Sequence, residues 1–515
     1  MGDKKKFALN FATQIAVLGS QFIISFVLTP VVLAKLGDEA YGFVGLINNF
    51  VSYLGIVTAA LNAMASRYIT VSYHAGRSDE SEGYFSSVFF SNCIMAVVVL
   101  VGSGILAANI ESLVNVAPEL VSDLRVTVVV AFLNAAVGLV AVVFGVAAFI
   151  RNDLFLNSIG QLTGSVLRVA LLFVLFWAAA PHMWYFSVAG LAATLVAAAI
   201  QVAVTKKLLP EMKLSLSRFD IGKVFELLKV GVWNSIQNIN QLIQTGLDLL
   251  IANLFVNGLA MGLLSIAKTV PLALTSLSGN IANLFYPKMA QAYASGDSDQ
   301  LVRRLDYAMR FTSAIMIVPL AGFMGFGGSF YSLWLPGRTA AELGEIQLLS
   351  ILTVITLLAS SLVEPLYYAN TLTTKVRGSV VIAFGFSVLT LVIEFPLLMY
   401  SSLDKLAVIA GVSSILLFVR HALVQPLYCA VVLGVPKRTF YKPLVREVAV
   451  LALVWSTYAL INSMGICTSW GSLIAVALVA GALGYSLELL LMFSKAERTS
   501  LIRSVASGFG RKGYL

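Results

Sequence analysis

Charge is what this 515-residue chain has least of: Asp, Glu, Lys and Arg together make up 11% of it, with three histidines and three cysteines. Cys93, Cys429 and Cys467 stand far apart in apolar surroundings, without a second ligand at metal spacing, so neither a disulfide framework nor a metal site is expected. No Walker loop, nucleophile elbow or paired acidic motif of a nucleotide-sugar enzyme occurs. The alternating ten-residue segments of a membrane β-barrel are missing too. Long hydrophilic segments on the outer side are also lacking; the longest, near 109–124 and 327–345, are too short to assemble a catalytic site, and an enzyme is not expected.

What fills the chain instead is apolar. Hydrophobic residues make up 59% and the mean hydropathy is +0.90, a composition that no water-soluble domain approaches. The expected fold is an all-α polytopic membrane protein with about fourteen spans, each about 20 residues or longer and able to cross a ~30 Å hydrocarbon core as helix. They are expected at 7–34, 41–72, 84–108, 125–149, 154–178, 184–205, 226–253, 259–287, 307–326, 346–368, 379–400, 406–432, 446–465 and 471–493. The first run follows Lys4, Lys5 and Lys6 as a signal peptide would, but it is too long and no small-residue cleavage site follows, so it reads as a retained span.

Outer connections then hold only Lys35, Arg125, Arg338 and Lys405, whereas Lys206, Lys207, Lys213, Arg218, Lys223, Lys437, Arg438, Lys442, Arg446 and a tail from Lys495 to Lys512 lie inside. This places both termini in the cytoplasm and the chain in a cytoplasmic membrane. The net charge of +9 is assigned to topology rather than to nucleic acid, which is not an expected partner.

The chain divides into a first six-helix bundle (1–205), a basic linker containing Pro210 (206–223), a second six-helix bundle (224–432), and two additional spans with a basic tail (433–515). The two bundles match at an offset of 220 residues: Gly42 falls on Gly262, Tyr73 on Tyr293, Gly76 on Gly296, Ser78 on Ser298 and Asp79 on Asp299. Six spans is an even number, so pseudo-symmetric bundles of one orientation are expected, with substrate between them and the linker as hinge.

Polar groups within the spans are few and patterned. Asn234, Asn238, Gln241, Thr245 and Asp248 share one helical face, and Gln14, Gln21 and Ser25 repeat it at the 220-residue offset. Such amides either bond helix to helix, at about 0.6 kcal/mol each, or line a water-filled cavity, and the stripe as a whole favours the cavity. A charge at the bilayer centre costs at least ~2.5 kcal/mol, which singles out Arg168, Lys268 and Arg420 as deep cations suited to an anion. Asp248, Glu364, Glu394 and Glu488 are their candidate partners, and His421 with Gln425 is a local polar pair. Arg67 reads as an interfacial residue.

Three stretches resemble a known family: Phe26 to Gly42 (FVLTPVVLAKLGDEAYG), Leu247 to Leu254 (LDLLIANL), and Arg420 followed by Gln425 to Tyr428 (QPLY). They look like bacterial polysaccharide transporters, the O-antigen-type flippases of the multidrug/oligosaccharidyl-lipid/polysaccharide exporter superfamily. The resemblance implies a flippase that turns a polyprenyl-diphosphate-linked oligosaccharide from the inner to the outer leaflet by alternating access. It also implies a V-shaped cavity and a bacterial inner membrane. The lipid-linked anionic glycan would be the substrate and membrane lipid its surroundings, with a polysaccharide polymerase or glycosyltransferase as partner. Arg168, Lys268, Arg420, Asn234, Asn238, Gln241, Gln14 and Gln21 would bind it. No cofactor is expected, and Asp248 and Glu394 are the candidates for coupling to Na⁺ or H⁺. In the peptidoglycan-precursor branch an arginine precedes a proline in the eighth span. Lys268 and Pro271 stand at the similar place, with Lys for Arg. An ion-coupled multidrug or cation antiporter, a glycan polymerase or ligase, and a non-transporting scaffold remain the alternatives.

Overall fold

The computed structural model describes residues 3–151, 153–283, 285–373 and 375–499, and every ordered element among them is helical. Among the described residues eleven helices are long and apolar enough to span a membrane, each at a place where a span is expected, and a bent helix pair within 24–74 counts as a twelfth. Fewer than the expected fourteen are thus found, and the first, second and seventh expected spans are where the expectation and the helices differ. Helix α1 (Asp3–His74) carries both of the first two expected spans, interrupted at Gly37, whose φ of 79° only glycine adopts readily. The expected seventh span is broken into α6 (Ile221–Gln241), a π-helical turn (Leu242–Gly246) and α7 (Asp248–Phe255), and its amides and charges lower its hydropathy.

The chain forms two compact units, 1–266 and 267–515. The first contains α1, α2 (Ser78–Ala108), α3 (Val121–Ala141), α4 (Phe155–Ala178), α5 (Tyr185–Leu208), α6, α7 and the start of α8 (Gly258–Asn283). Within it α1 packs along α6, α2 and α4, while α4 and α3 pack on α5. The segment expected to open the second bundle at 224 is thus grouped with the first unit up to 266. Its cores are Leu61, Ile69, Phe85, Val88 and Leu227 on one side and Leu28, Val32, Leu172 and Phe176 on the other.

The second unit continues α8 and adds α9 (Tyr286–Ala294), α10 (Ser298–Trp334), α11 (Ala340–Val354), α12 (Leu357–Leu372), α13 (Val376–Tyr400), α14 (Lys405–Val419), α15 (Gln425–Leu433), α16 (Tyr441–Ser463) and α17 (Trp470–Met492). The two additional helices, α16 and α17, lie on α10 and on each other around Ile317, Ala321, Val454 and Tyr458. Uncovered apolar side chains, such as Ile94, Val97 and Val101 on α2 or Leu478 and Val479 on α17, form the surface that lipid would meet.

Helix ends repeat between the units as the sequence offset does. Gly76 and Gly296 both adopt positive φ, 73° and 71°, and their amides donate to Tyr73 O and Tyr293 O at 3.1 Å before the helices starting at Ser78 and Ser298. The interruption at Gly37 falls on Asn257, whose Oδ1 accepts from Ala260 N at the start of α8.

The basic segment 206–223 is strapped to the first unit. Asp220 N donates to buried Ser87 Oγ (2.9 Å) and Ser215 N to buried Ser86 Oγ (3.2 Å). Arg218 pairs with Asp79 (2.8 Å) and Glu82 (3.0 Å). Tyr73 Oη donates to Glu211 (2.7 Å), and that hydrogen bond holds the Glu211 carboxyl below the usual carboxylate range.

Candidate functional site

The polar stripe on α6 begins where two backbones meet. A Cβ on Gly231 would stand 1.8 Å from Ala60 O, so only glycine allows α6 to lie this close to α1. Asn238 Nδ2 then donates to Gly55 O (2.9 Å). At the π turn the helical ladder shifts by one residue, with Leu247 N donating to Leu242 O, and Gly246 O accepts from Asn49 Nδ2 (3.0 Å) and Tyr53 Oη (2.7 Å). Bulges of this kind need outside donors for displaced carbonyls. Asn49 and Asn238 therefore bind helix to helix, whereas Gln241 and Thr245 are uncovered by protein. Asp248, which follows the turn, is buried near Tyr53. The side chains of Gln14, Gln21 and Asn234 lie outside the described residues.

Arg168 stands elsewhere in the same unit, on α4, in the wall of a cavity of about 390 Å³. Ser25, Thr29, Tyr41, Asn48, Ser165 and Ser265 line it with Arg168. Thr29 Oγ1 donates to Ser25 O (2.6 Å) and lies 3.1 Å from Tyr41 Oη. Among the described residues Arg168 makes no ion pair, and its Nε has no hydrogen-bond partner. A guanidinium without a counter-charge among the described residues, in a chamber walled by hydroxyls and an amide as well as by apolar side chains, is suited to an anion that also carries hydroxyl groups. The stripe and this chamber are separate places: the chamber takes Asn48 and Ser25 from α1 but neither Asn238 nor Gln241. Of its wall, the sequence pattern marks Arg168 as costly in lipid and Ser25 and Asn48 as polar. Thr29, Tyr41, Ser165 and Ser265 carry no such signal, since hydroxyls are common in apolar helices.

In the second unit Lys268 is buried on α8, three residues before Pro271, and the preceding carbonyl, Ala267 O, accepts from Ser350 Oγ (2.8 Å). Arg420 opens a second π turn, Arg420–Val424. Its Nη2 donates to Tyr367 Oη (3.3 Å) and to His421 Nε2 (2.9 Å), which puts the imidazole proton on Nδ1. His421 thus pairs with Arg420 rather than with Gln425. Glu364 lies within electrostatic reach of Arg420. Glu394 is buried on α13. Among the described residues no group of three or more His, Cys, Asp or Glu side chains could hold a metal.

The run Leu247 to Leu254 has a plain structural use. Asn253, in the run Leu247 to Leu254, is wholly buried and clamps the 109–117 loop to α7: its Oδ1 accepts from Asn115 N (2.7 Å) and its Nδ2 donates to Asn115 O (2.8 Å).

Comparison with known proteins agrees with the helical architecture. The chain is 26% identical over 499 residues to the uncharacterized membrane protein EpsK of Bacillus subtilis (strain 168), covering 97% of this chain and 98% of that one. Its fold is similar to that of the lipid II flippase MurJ in an inward closed conformation, with a TM-score of 0.67 and 13% identity over 94% of this chain and 98% of that one. It is also similar to an inward-facing multidrug resistance MATE family transporter of the MOP superfamily, with a TM-score of 0.64 and 13% identity over 80% and 94%. Residues 7–293 match the polysaccharide biosynthesis protein family, and the chain is a multi-pass membrane protein that belongs to it.

Proposed function

We propose that the protein is a flippase that moves a polyprenyl-diphosphate-linked oligosaccharide from the inner to the outer leaflet of a bacterial cytoplasmic membrane by alternating access. The observation that carries this reading is the Arg168 chamber, in which an unneutralised guanidinium stands among seryl, threonyl, tyrosyl and amide groups. The diphosphate meets the cation, the sugar hydroxyls meet the neutral polar wall, and the polyprenyl chain stays in lipid. Lys268, Arg420, Asn234, Asn238, Gln241, Gln14 and Gln21 remain the other candidates for binding. No bond is made or broken, so the protein acts as a transporter and not as an enzyme.

Inverted vesicles loaded with lipid-linked oligosaccharide test the reading. Arg168→Ala is expected to stop the glycan from becoming protected against an external probe, and Arg168→Lys to restore part of the activity, because lysine keeps the charge but loses the bidentate fork. Normal protection by Arg168→Ala at equal protein level overturns it.

A second reading, an ion-coupled antiporter of drugs or cations, draws on the burial of Asp248 beside the π turn. Under either reading Asp248 and Glu394 are the candidates for Na⁺ or H⁺ coupling. Efflux of a cationic dye that fails in Asp248→Asn would favour the antiporter.

A further inference from the structure

The two additional helices carry charge where none is expected to survive. Glu447 on α16 and Glu488 on α17 are 2% and 1% exposed, and Glu488 lies within electrostatic reach of Glu447. Among the described residues neither oxygen of Glu488 has a hydrogen-bond partner, and neither does Glu447 Oε2. The Ser313 hydroxyl on α10 is directed at Glu447, is wholly buried, and closes no hydrogen bond of its own. Thus, among the described residues, two buried carboxyl groups on packed helices have no donor beyond the single Ser313 hydroxyl directed at Glu447.

The neighbouring charges do not resolve this. Arg310, one turn before Ser313 and Ala314 on α10, is committed to Asp306 (2.9 Å) and Glu497 (2.9 Å). Tyr458 and Tyr485 feel the Glu488 charge, but as phenols they add no positive charge. On α12, which also touches α16, Glu364 interacts with Arg420. Two like charges within electrostatic reach of each other and this dry cannot both persist without a counter-charge, since each desolvated carboxylate costs several kcal/mol.

We propose that Glu447 and Glu488 form a buried site for a small monovalent cation, a proton or Na⁺, held between α10, α16 and α17. Both ions meet the same requirement, a compact positive charge taken by oxygen ligands. The site stands on the packing of the second unit and is independent of the glycan reading.

Infrared spectroscopy of the full-length protein in lipid nanodiscs tests it, comparing wild type with Glu447→Gln, Glu488→Gln and the double variant in sodium chloride and in choline chloride. For a proton site, wild type shows a protonated-carboxyl C=O band at neutral pH in both salts, and the band is lost in the glutamine variants. For a Na⁺ site, the band is strong in choline, falls as sodium is titrated, and the melting temperature rises with sodium in wild type but not in the double variant. Either pattern supports the site. Carboxylate bands at neutral pH that are the same in both salts, with no sodium effect on melting, would overturn it. Because Asp248 and Glu394 are buried carboxyls too, the band is assigned to this pair by its loss in the glutamine variants, and where one single variant fails to fold the other carries the assignment.

Discussion

Gly42 and Gly262 lie against each other: a Cβ on Gly42 would stand 2.8 Å from Gly262 N, and a Cβ on Gly262 would stand 2.3 Å from Asp38 O. They are equivalent residues of the 220-residue repeat. One turn later the relationship recurs, because a Cβ on Gly45 would meet Ser265 Oγ at 2.7 Å, and 45 and 265 differ by the same offset. These pairs mark a close crossing of α1 and the start of α8 within the first unit. The same register sets Asn48 of the Arg168 chamber against Lys268 in sequence, an amide in one repeat and a cation in the other.

Backbone cannot move aside as a flexible side chain can, so Gly262→Ala and Gly42→Ala are each expected to destabilise the protein, by about 1–3 kcal/mol as for other overpacked cores. Gly19→Ala, where open space surrounds the glycine, provides the control. Thermal unfolding in detergent checks this, and equal melting temperatures for all three variants would refute the close crossing.

The carbonyl of Gly246 is shared by Asn49 and Tyr53. Removing one donor leaves the other, so Tyr53→Phe or Asn49→Ala should each cost about 0.6 kcal/mol. The double variant leaves a displaced carbonyl with no donor and should cost about 2–3 kcal/mol, the upper part of the range for an unsatisfied buried group and more than the sum of the singles. A double-mutant cycle on unfolding measures the excess; additivity within about 0.5 kcal/mol means that the two side chains do not share this acceptor.

These residues also show what a sequence can and cannot convey. Apolar runs announce spans because lipid tolerates little else, and the eleven clearest runs lie where helices form. The glycine offset is legible because close crossings allow no substitute. Helical periodicity, however, fixes only which face a residue is on. It set Asn238 and Gln241 together, yet the first is bonded to Gly55 O and the second is uncovered, since what stands opposite a face depends on another helix. Arg168 stood out by its cost in lipid, while the hydroxyls around it did not. Glu447 escaped notice for the same reason in reverse, as it lies near a basic span end where a carboxylate looks ordinary.

The 206–223 segment reads as a hinge, but Ser86 and Ser87 fasten it by its backbone. Ser86→Ala with Ser87→Ala leaves two amides without acceptors, about 1 kcal/mol each, and should raise its local opening. Trypsin cleavage after Lys213, Arg218 and Lys223 is the readout. An increase of several-fold over wild type is expected; an unchanged cleavage rate would show that the serines do not hold the strap.

Arg310 also reaches out of α10 to the segment after α17, where Glu497 accepts from both of its terminal nitrogens (3.1 and 2.9 Å) and from Ser494 N (2.8 Å). The hydrogen bond from Arg310 is the main reason that the Glu497 carboxyl is pushed down to about 2 from its ordinary 4.5. A carboxyl depressed in the folded state stabilises that state fully above its unfolded pKa, and the contribution is lost as pH falls through the folded value. The window therefore runs from about 4.5 down to about 2. Wild type and Glu497→Gln should differ in melting temperature by a constant amount at and above neutral pH, with wild type the more stable, and the difference should shrink as the pH drops through that window. Other carboxyl groups titrate in the same range, so the difference between the two proteins is the quantity to follow. A gap that stays constant down to the lower limit would mean that the charge on Glu497 contributes nothing to docking of this segment.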